Sequence, residues 1–356
     1  MTFCTPLLEE HKRDCARLTD FSGWEMPIQY GSITAEHAAV REEVGIFDVG
    51  HMGRLFLRGQ QSVAILERIT VSRMTDLTPG RTRYTAVCNP EGGTKDDILV
   101  TCLEPDRFLL VVNASNRDKL VSWFGERLGS ETPLQDVTFT TGMIAVQGPK
   151  ALGVVNELLN ADLHSLRYYH TCDLGNGLLV SRTGYTGEDG FEIIASPSEV
   201  VSFWQRARAL GAKPIGLGAR DTLRMEMGYP LYGHELAEDI TPLEAGIGWV
   251  VHFDKSDFIG KSALERQKQN GVPRQRIGFL LKESGIPRPG YSLFQGGKPL
   301  GIVTSGGFSP TLGMGIGLGL IRNTPETIDA LFVEIRGKKV PVSVQSPPFV
   351  QKKVRK

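Results

Sequence analysis

Residues 182–192 read Arg-Thr-Gly-Tyr-Thr-Gly-Glu-Asp-Gly-Phe-Glu, between two strand-like runs, LLVSRT and FEIIAS. Glycine reaches backbone conformations that other residues avoid, and it lets a ligand come close. A strand must therefore turn tightly here and return as a second strand. Glu192 opens the returning run. A carboxylate there can point into a cleft between strands and pair with a flat ring bearing adjacent N–H donors. Taken alone, such a turn reads more simply as a hairpin loop with solvated acids. Its length, and the residues that accompany it elsewhere, change that balance.

At 356 residues the chain is long enough for two or three domains. Forty basic residues balance forty acidic ones. The balance argues against a nucleic-acid or membrane-surface binder, whose affinity rests on clustered positive charge. The five cysteines are odd in number and form no Cys-x-x-Cys pair. Reduced thiols in a cytoplasm are the expectation. The first residues carry charges and lack an apolar signal core, and no run approaches a membrane span. The sequon at Asn113 is therefore not expected to be glycosylated.

Between residues 53 and 130 strands and helices alternate, and a second alternation follows. ITAEHAAVREEVGIF has helical spacing, with Thr34 as N-cap and Gly45 as the stop. PKALGVVNELL reads as a helix with Pro149 near its first turn. From about residue 275 short strands separated by Gly, Pro and charged turns imply a small all-β, barrel-like domain. Glycine, at 41 residues, is abundant enough to supply many tight turns.

Several motifs fail. Gly260-Lys261-Ser262 resembles the end of a phosphate loop, but Lys255 stands where that motif needs glycine. The run GMGIGLG at 313–319 has the wrong spacing for a dinucleotide fingerprint and leads into a β region. The seven histidines are scattered, so a metal site has little support. No Gly-x-Ser-x-Gly elbow is present.

Four constellations survive. In Gly92-Gly93-Thr94-Lys95-Asp96-Asp97, strand alternation sends one acid into a cleft and the other to water or a turn cap. A carboxylate in a partly apolar pocket can act as a base or steady a developing cation; two solvated turn acids are the plain alternative. In GLGARDTLRMEMGYPLYGHEL, Arg220 can order a pocket or contact a ligand's polar edge, or simply pair with Asp221 at the surface. Arg224 and Glu226 belong to the helix itself. Asn113 ends the run VVNAS with an amide that donates and accepts at once. Tyr84, Tyr185 and Trp249 lie near these polar residues in sequence. Such rings can stack on a flat heterocycle, although core packing is the commoner use of each.

Together these residues resemble the aminomethyltransferase, or T-protein, family of the glycine cleavage system. The landmarks are TPLLEEHKRDCARLTDFSGWEMPIQY, REEVGIFDVGHMG, GGTKDDILV, VNASN, GYTGEDGFE, GLGARDTLRME, LYGHEL, DFIGK and SGGFSPTLG, in order along nearly the whole chain. The resemblance implies an α+β, three-domain cloverleaf: two ferredoxin-like α/β units with swapped segments, plus a C-terminal β-barrel. It puts residues 1–52 and 138–245 in a first, folate-binding unit, residues 53–137 and 246–274 in a second, and residues 275–356 in the barrel. It implies tetrahydrofolate as co-substrate and a lipoylated H-protein as partner, with no metal, membrane or nucleic acid. Ammonia is released and 5,10-methylenetetrahydrofolate forms. Asp97 matches the catalytic carboxylate, which raises the nucleophilicity of the attacking nitrogen and stabilises an iminium-like intermediate. Glu192 matches the acid that grips the pterin, and Arg220 a folate-contacting arginine. Asn113, Tyr84, Met52 and Tyr185 match positions lining the folate site. His51 reads as structural. Another folate-dependent demethylase of the same superfamily is the alternative. A non-catalytic folate-binding relative would carry Lys-Gly-Cys-x-x-Gly, which is absent. The stretch PFVQKKVRK also lacks a tyrosine that family members often carry there, leaving basic side chains instead.

Overall fold

The computed structural model describes residues 2–128, 133–323 and 330–354. Two mixed α/β layers and a barrel account for most of them. A six-stranded sheet takes its strands, in spatial order, from Thr171–Asp173, Leu179–Ser181, Gly190–Ala195, Gly142–Gln147, Gly45–Asp48 and Lys213–Ile215. A five-stranded sheet orders Thr82–Cys88, Thr94–Glu104, Arg107–Val112, Gly53–Arg58 and Leu134–Asp136. The chain crosses from the first sheet to the second between Asp48 and Gly53, and later returns to the first.

Strand alternation explains why both sheets are buried on two faces. In Gly142–Gln147, Ile144 and Val146 point to a core covered by the helices Ala151–Leu159 and Pro197–Ala209. Met143 and Ala145 point the other way, into a layer shared with Phe56, Leu109 and Val111 of the second sheet. That second sheet rests its opposite face, through Leu55, Leu57, Ile98, Val100, Phe108 and Leu110, on the helices Ser62–Ile69 and Arg117–Gly125. The two sheets are thus stacked face to face, with helices outside. Ahead of the first long helix, Phe3–Cys4, Trp24–Gln29 and Arg17–Phe21 form a three-stranded sheet.

Helix ends depart slightly from expectation. Ser32, not Thr34, is the N-cap of Ile33–Glu42, and Gly45 opens a strand instead of ending the helix. Pro149 precedes the N-cap Lys150 and lies outside the helix. At Pro197–Ala209 the signals agree fully: Ser196 and Glu199 form a capping box, with Pro197 at the first turn.

Six strands from Arg274 to Val344 close into a barrel. Its glycine-rich strand Met314–Arg322 explains the false dinucleotide signal. Ile316 and Leu318 face outward onto Met225 of the helix Leu217–Met227 and onto Phe349. The intervening glycines face the barrel interior, where a Cβ on Gly317 would lie 2.2 Å from the Phe279 ring. Glycine here makes room for a neighbour's bulk. Among the described residues no helix is long and apolar enough to cross a membrane.

One buried carboxylate ties these units together. Glu226 belongs to the helix Leu217–Met227 as expected, yet its side chain leaves the helix's own bonding. It accepts from Arg41 Nη2 at 2.8 Å, Ser309 Oγ at 2.6 Å and Thr311 Oγ1 at 2.9 Å, and lies 3.3 Å from His37. Burial opposes its charge, but His37, Ser309 and Arg41 more than offset that and hold its pKa at about 2, from an ordinary 4.5. A depressed folded-state pKa stabilises the fold above the ordinary value and loses that contribution as pH falls. Glu226→Ala is therefore expected to cost about 3 kcal/mol, since Arg41 keeps only Glu188, at 3.1 Å, of its two buried carboxylates and Ser309 and Thr311 lose their acceptor. The wild type should lose this contribution on acidification from pH 4.5 towards 2. Urea unfolding of both proteins across that range checks it: the difference between them should shrink at the acid end.

Candidate active site

The five-stranded sheet presents Asp97 through simple alternation. Asp96, Ile98 and Val100 face the sheet's own helices, while Asp97 and Leu99 face the other sheet. On the opposing wall, Phe191, Ile193 and Ala195 turn to their helix-covered core, which leaves Glu192 with Ile194 on the inter-sheet side. The two acids, 95 positions apart in sequence, reach one layer from its two walls.

Asp97 is held by donors. Tyr84 Oη gives a hydrogen bond to Oδ2 at 2.9 Å, and Asn113 Nδ2 one to Oδ1 at 2.8 Å. The same amide reaches Asp96 Oδ1 at 2.8 Å, and the Asn113 backbone N–H donates to Asp96 Oδ2 at 3.1 Å. Asn116 adds a further donor to Asp96. Asp96 was expected at water or a turn cap; it is instead wholly buried, because its alternation directs it into the sheet's core. Desolvation raises the pKa of both carboxyls, with the charge of Asp97 adding to the rise at Asp96. At Asp97 the bonds from Tyr84 and Asn113 work against that rise. The result is a carboxylate oriented by fixed donors yet more basic than an exposed one. Asn113 bridges the two acids, so its amide donors are engaged within the protein.

Glu192 accepts a hydrogen bond from Thr183 Oγ1. Burial raises its pKa; Thr183 and then the Arg220 charge moderate the rise. Arg220 lies with its guanidinium carbon 4.9 Å from the Tyr185 ring centroid. It does not pair with Asp221, which bonds Arg224 instead at 2.8 Å. Among the described residues the Arg220 guanidinium makes no hydrogen bond, so its planar donors are free for a ligand, with the Glu192 charge acting on it. Tyr185 stacks on Tyr229, centroids 5.6 Å apart at 24°, and its hydroxyl donates to the Pro230 carbonyl.

A group of tyrosines joins the two acids. Tyr169 has its pKa raised first by burial and then by Tyr229, and the charges of both Glu192 and Asp97 act on it as well. Tyr168 meets Tyr169 edge-on at 4.7 Å. Sequence reasoning missed Tyr168, Tyr169 and Tyr229. The adjacent pair in SLRYYHTC was the available signal, but Tyr169 reaches its place through a positive φ of 58° that no motif announces. Met52 lies where the chain crosses between sheets, half-buried against the inter-sheet core. His51 beside it is buried edge-on to Phe21. Burial, then the Arg220 charge, push its pKa down to about 3, so the ring is neutral. Trp249 does not enter the layer; it stands at the rim, 70% exposed.

The glycine turn precedes the strand that carries Glu192. Gly187 has φ +81°, and a Cβ there would lie 2.1 Å from Met227 Sδ, so both the turn and the close packing require glycine. The segment after the barrel returns to this turn. The Lys353 backbone N–H donates to Gly187 O at 2.8 Å, and Lys353 Nζ lies 3.7 Å from Glu188. Lys352 Nζ sits 5.0 Å from the Tyr168 ring and 5.6 Å from the Tyr229 ring.

Comparison with known proteins agrees with this architecture. The GCVT N-terminal domain family model matches residues 7–255, and the glycine cleavage T-protein C-terminal barrel domain matches residues 274–351. A protein named aminomethyltransferase from Bacillus subtilis (strain 168) is 45% identical, with 98% of this chain and 99% of the relative covered. Another of that name from Desulfitobacterium hafniense (strain DSM 10664 / DCB-2) is 46% identical over 94% of each chain. The crystal structure of glycine cleavage system aminomethyltransferase T from Bartonella henselae superposes with a TM-score of 0.94 at 31% identity, covering 99% of both chains. A fold stacked from two α/β layers and a closed barrel, carrying GGTKDD and GYTGEDGFE on facing walls, therefore belongs to the glycine cleavage T-protein family.

Proposed function

We propose that this chain is a tetrahydrofolate-dependent aminomethyltransferase, which takes an aminomethyl group from the lipoyl arm of a carrier protein and delivers its carbon to folate. The carrying observation is the placement of Asp97 and Glu192 on facing walls of one tyrosine-lined layer. In the reaction a C–S and a C–N bond break and two C–N bonds to folate form. The two folate N–H protons end on the dihydrolipoyl thiol and on ammonia. The carbon keeps its oxidation level, so no redox partner enters.

Each side chain then has a task. Glu192 accepts two parallel N–H bonds from the pterin's aminopyrimidine edge, a pairing that discriminates well when buried. Arg220 supplies donors to the same ligand. Met52, Tyr84 and Tyr185 line the ring's surroundings, and Asn113 fixes the orientation of Asp97. Asp97 attracts positive charge: it steadies the cationic carbon in transit and receives a proton from the attacking nitrogen. Its raised basicity favours the second task, and its fixed donors favour the first.

Asp97→Ala should abolish formation of methylenetetrahydrofolate from aminomethyl-loaded H-protein, with folding retained by circular dichroism. Retained turnover would remove Asp97 from this role. Glu192→Ala is expected to weaken tetrahydrofolate binding by about 1–3 kcal/mol, roughly 5- to 150-fold in Kd; an unchanged Kd by calorimetry would refute the anchor. In Tyr84→Phe, loss of one donor should move the acid limb of the kcat/KM profile to higher pH, because Tyr84 lowers the Asp97 pKa. A profile that stays in place would show that another group governs the limb. Turnover of a methylated small molecule without any from the H-protein would replace this function with the demethylase reading.

A further inference from the structure

Trp249 is the most exposed of the large apolar side chains among the described residues, at 70%. Its exposure is imposed by its setting. It sits on the 3-10 turn Gly248–Val250, whose flanks Ile247 and Val250 are buried. The turn is clamped by Ser72 Oγ, which donates to Val250 O at 2.7 Å, and by the His252 backbone N–H, which donates to Val71 O at 3.0 Å. An indole fixed outward in this way leaves a large apolar area in water.

The indole also leads somewhere. Its ring lies 5.8 Å from that of Tyr84, tilted by 30°, and Tyr84 is the donor to Asp97 Oδ2. An aromatic wall thus runs from solvent to the reacting carboxylate in two steps. Beside the turn the surface is polar: Arg73 pairs with Asp254, and Arg83, next to Tyr84, pairs with Asp76. An aromatic anchor within a polar rim is the anatomy of an energetically dominant contact.

Resting on the function proposed above, we infer that Trp249 and Tyr84 form the entry wall for the carrier's lipoyl arm. The arm is a long saturated chain, uncharged along its length, whose terminal sulfur carries the aminomethyl group, and it must bring that carbon from outside to Asp97. An indole face suits both the chain and the sulfur. The folate's anionic end has a different complement: the Lys352 ammonium over Tyr168 and Tyr229. Charge therefore separates the two ligands, the anion towards Lys352 and the arm, which bears no negative charge, along Trp249.

The test uses full-length enzyme with lipoylated, aminomethyl-loaded H-protein and tetrahydrofolate. Trp249→Ala should raise KM for the carrier by about tenfold, as loss of a contact anchor does, with kcat at saturating carrier and the folate Kd unchanged. Trp249→Phe should recover most of the loss. The fluorescence assigned to Trp249, by difference between wild type and Trp249→Phe, should respond to lipoylated carrier and not to the unlipoylated form. An unchanged carrier KM overturns the inference. A folate Kd weakened in step with KM overturns it too, by placing the indole on folate. An equal fluorescence response to unlipoylated carrier overturns it by placing the indole on the carrier's body. Absence of any wild-type turnover instead refutes the function itself.

Discussion

The site depends on two sheets that have no solvent face to give. Because helices cover the outer side of each, the inner sides must meet, and every second residue of the central strands is committed to that meeting. Most of those positions are apolar and close-packed. Where an acid stands at one of them, it is largely withdrawn from water, and it finds donors in the protein or in a ligand. Asp97 finds Tyr84 and Asn113, while Glu192 finds Thr183 and the nearby charge of Arg220. The lipophilic layer that makes the fold cohere is also what gives the two carboxylates their altered basicity.

Support for these acids is shared unevenly. Asn113 serves both Asp96 and Asp97, so one amide sets the separation of the two carboxyls. Asp96 lies deeper and takes further donation from Asn116. It acts as ballast for its neighbour, holding the amide whose other hydrogen points at Asp97. Arg220 shows the opposite economy. It lies over an aromatic face, half-buried, and makes no hydrogen bond among the described residues, with the Glu192 charge favouring its ionised form.

Much of this was legible in the residues. Period-two runs such as GMIAVQ and FEIIA announced strands, and GGTKDD and GYTGEDGFE carried Asp97 and Glu192 by their length and order. Arg220 was found through its helix, though the surface pair with Asp221 was a fair rival until Arg224 took that acid. What stayed hidden depends on distant segments meeting. Tyr168, Tyr169 and Tyr229 come from two loops joined only in the folded chain. Trp249 looked like a ring for stacking on a heterocycle, and nothing local could reveal that a clamped turn aims it at solvent. Glu226 looked like an ordinary helix residue because its partners, from His37 to Thr311, span most of the chain.

The strand of chain beyond the barrel has a consequence for biosynthesis. Phe349 donates its backbone N–H to the Glu226 carbonyl, and Lys353 does the same to Gly187. The turn that leads to Glu192 is therefore braced by a residue translated 166 positions after Gly187 (353 − 187). A nascent polypeptide can stack its sheets early, as domains generally do during synthesis. It cannot brace that turn until residue 353 has emerged, so the glycine turn waits on a distant segment after the sheets around it have already stacked.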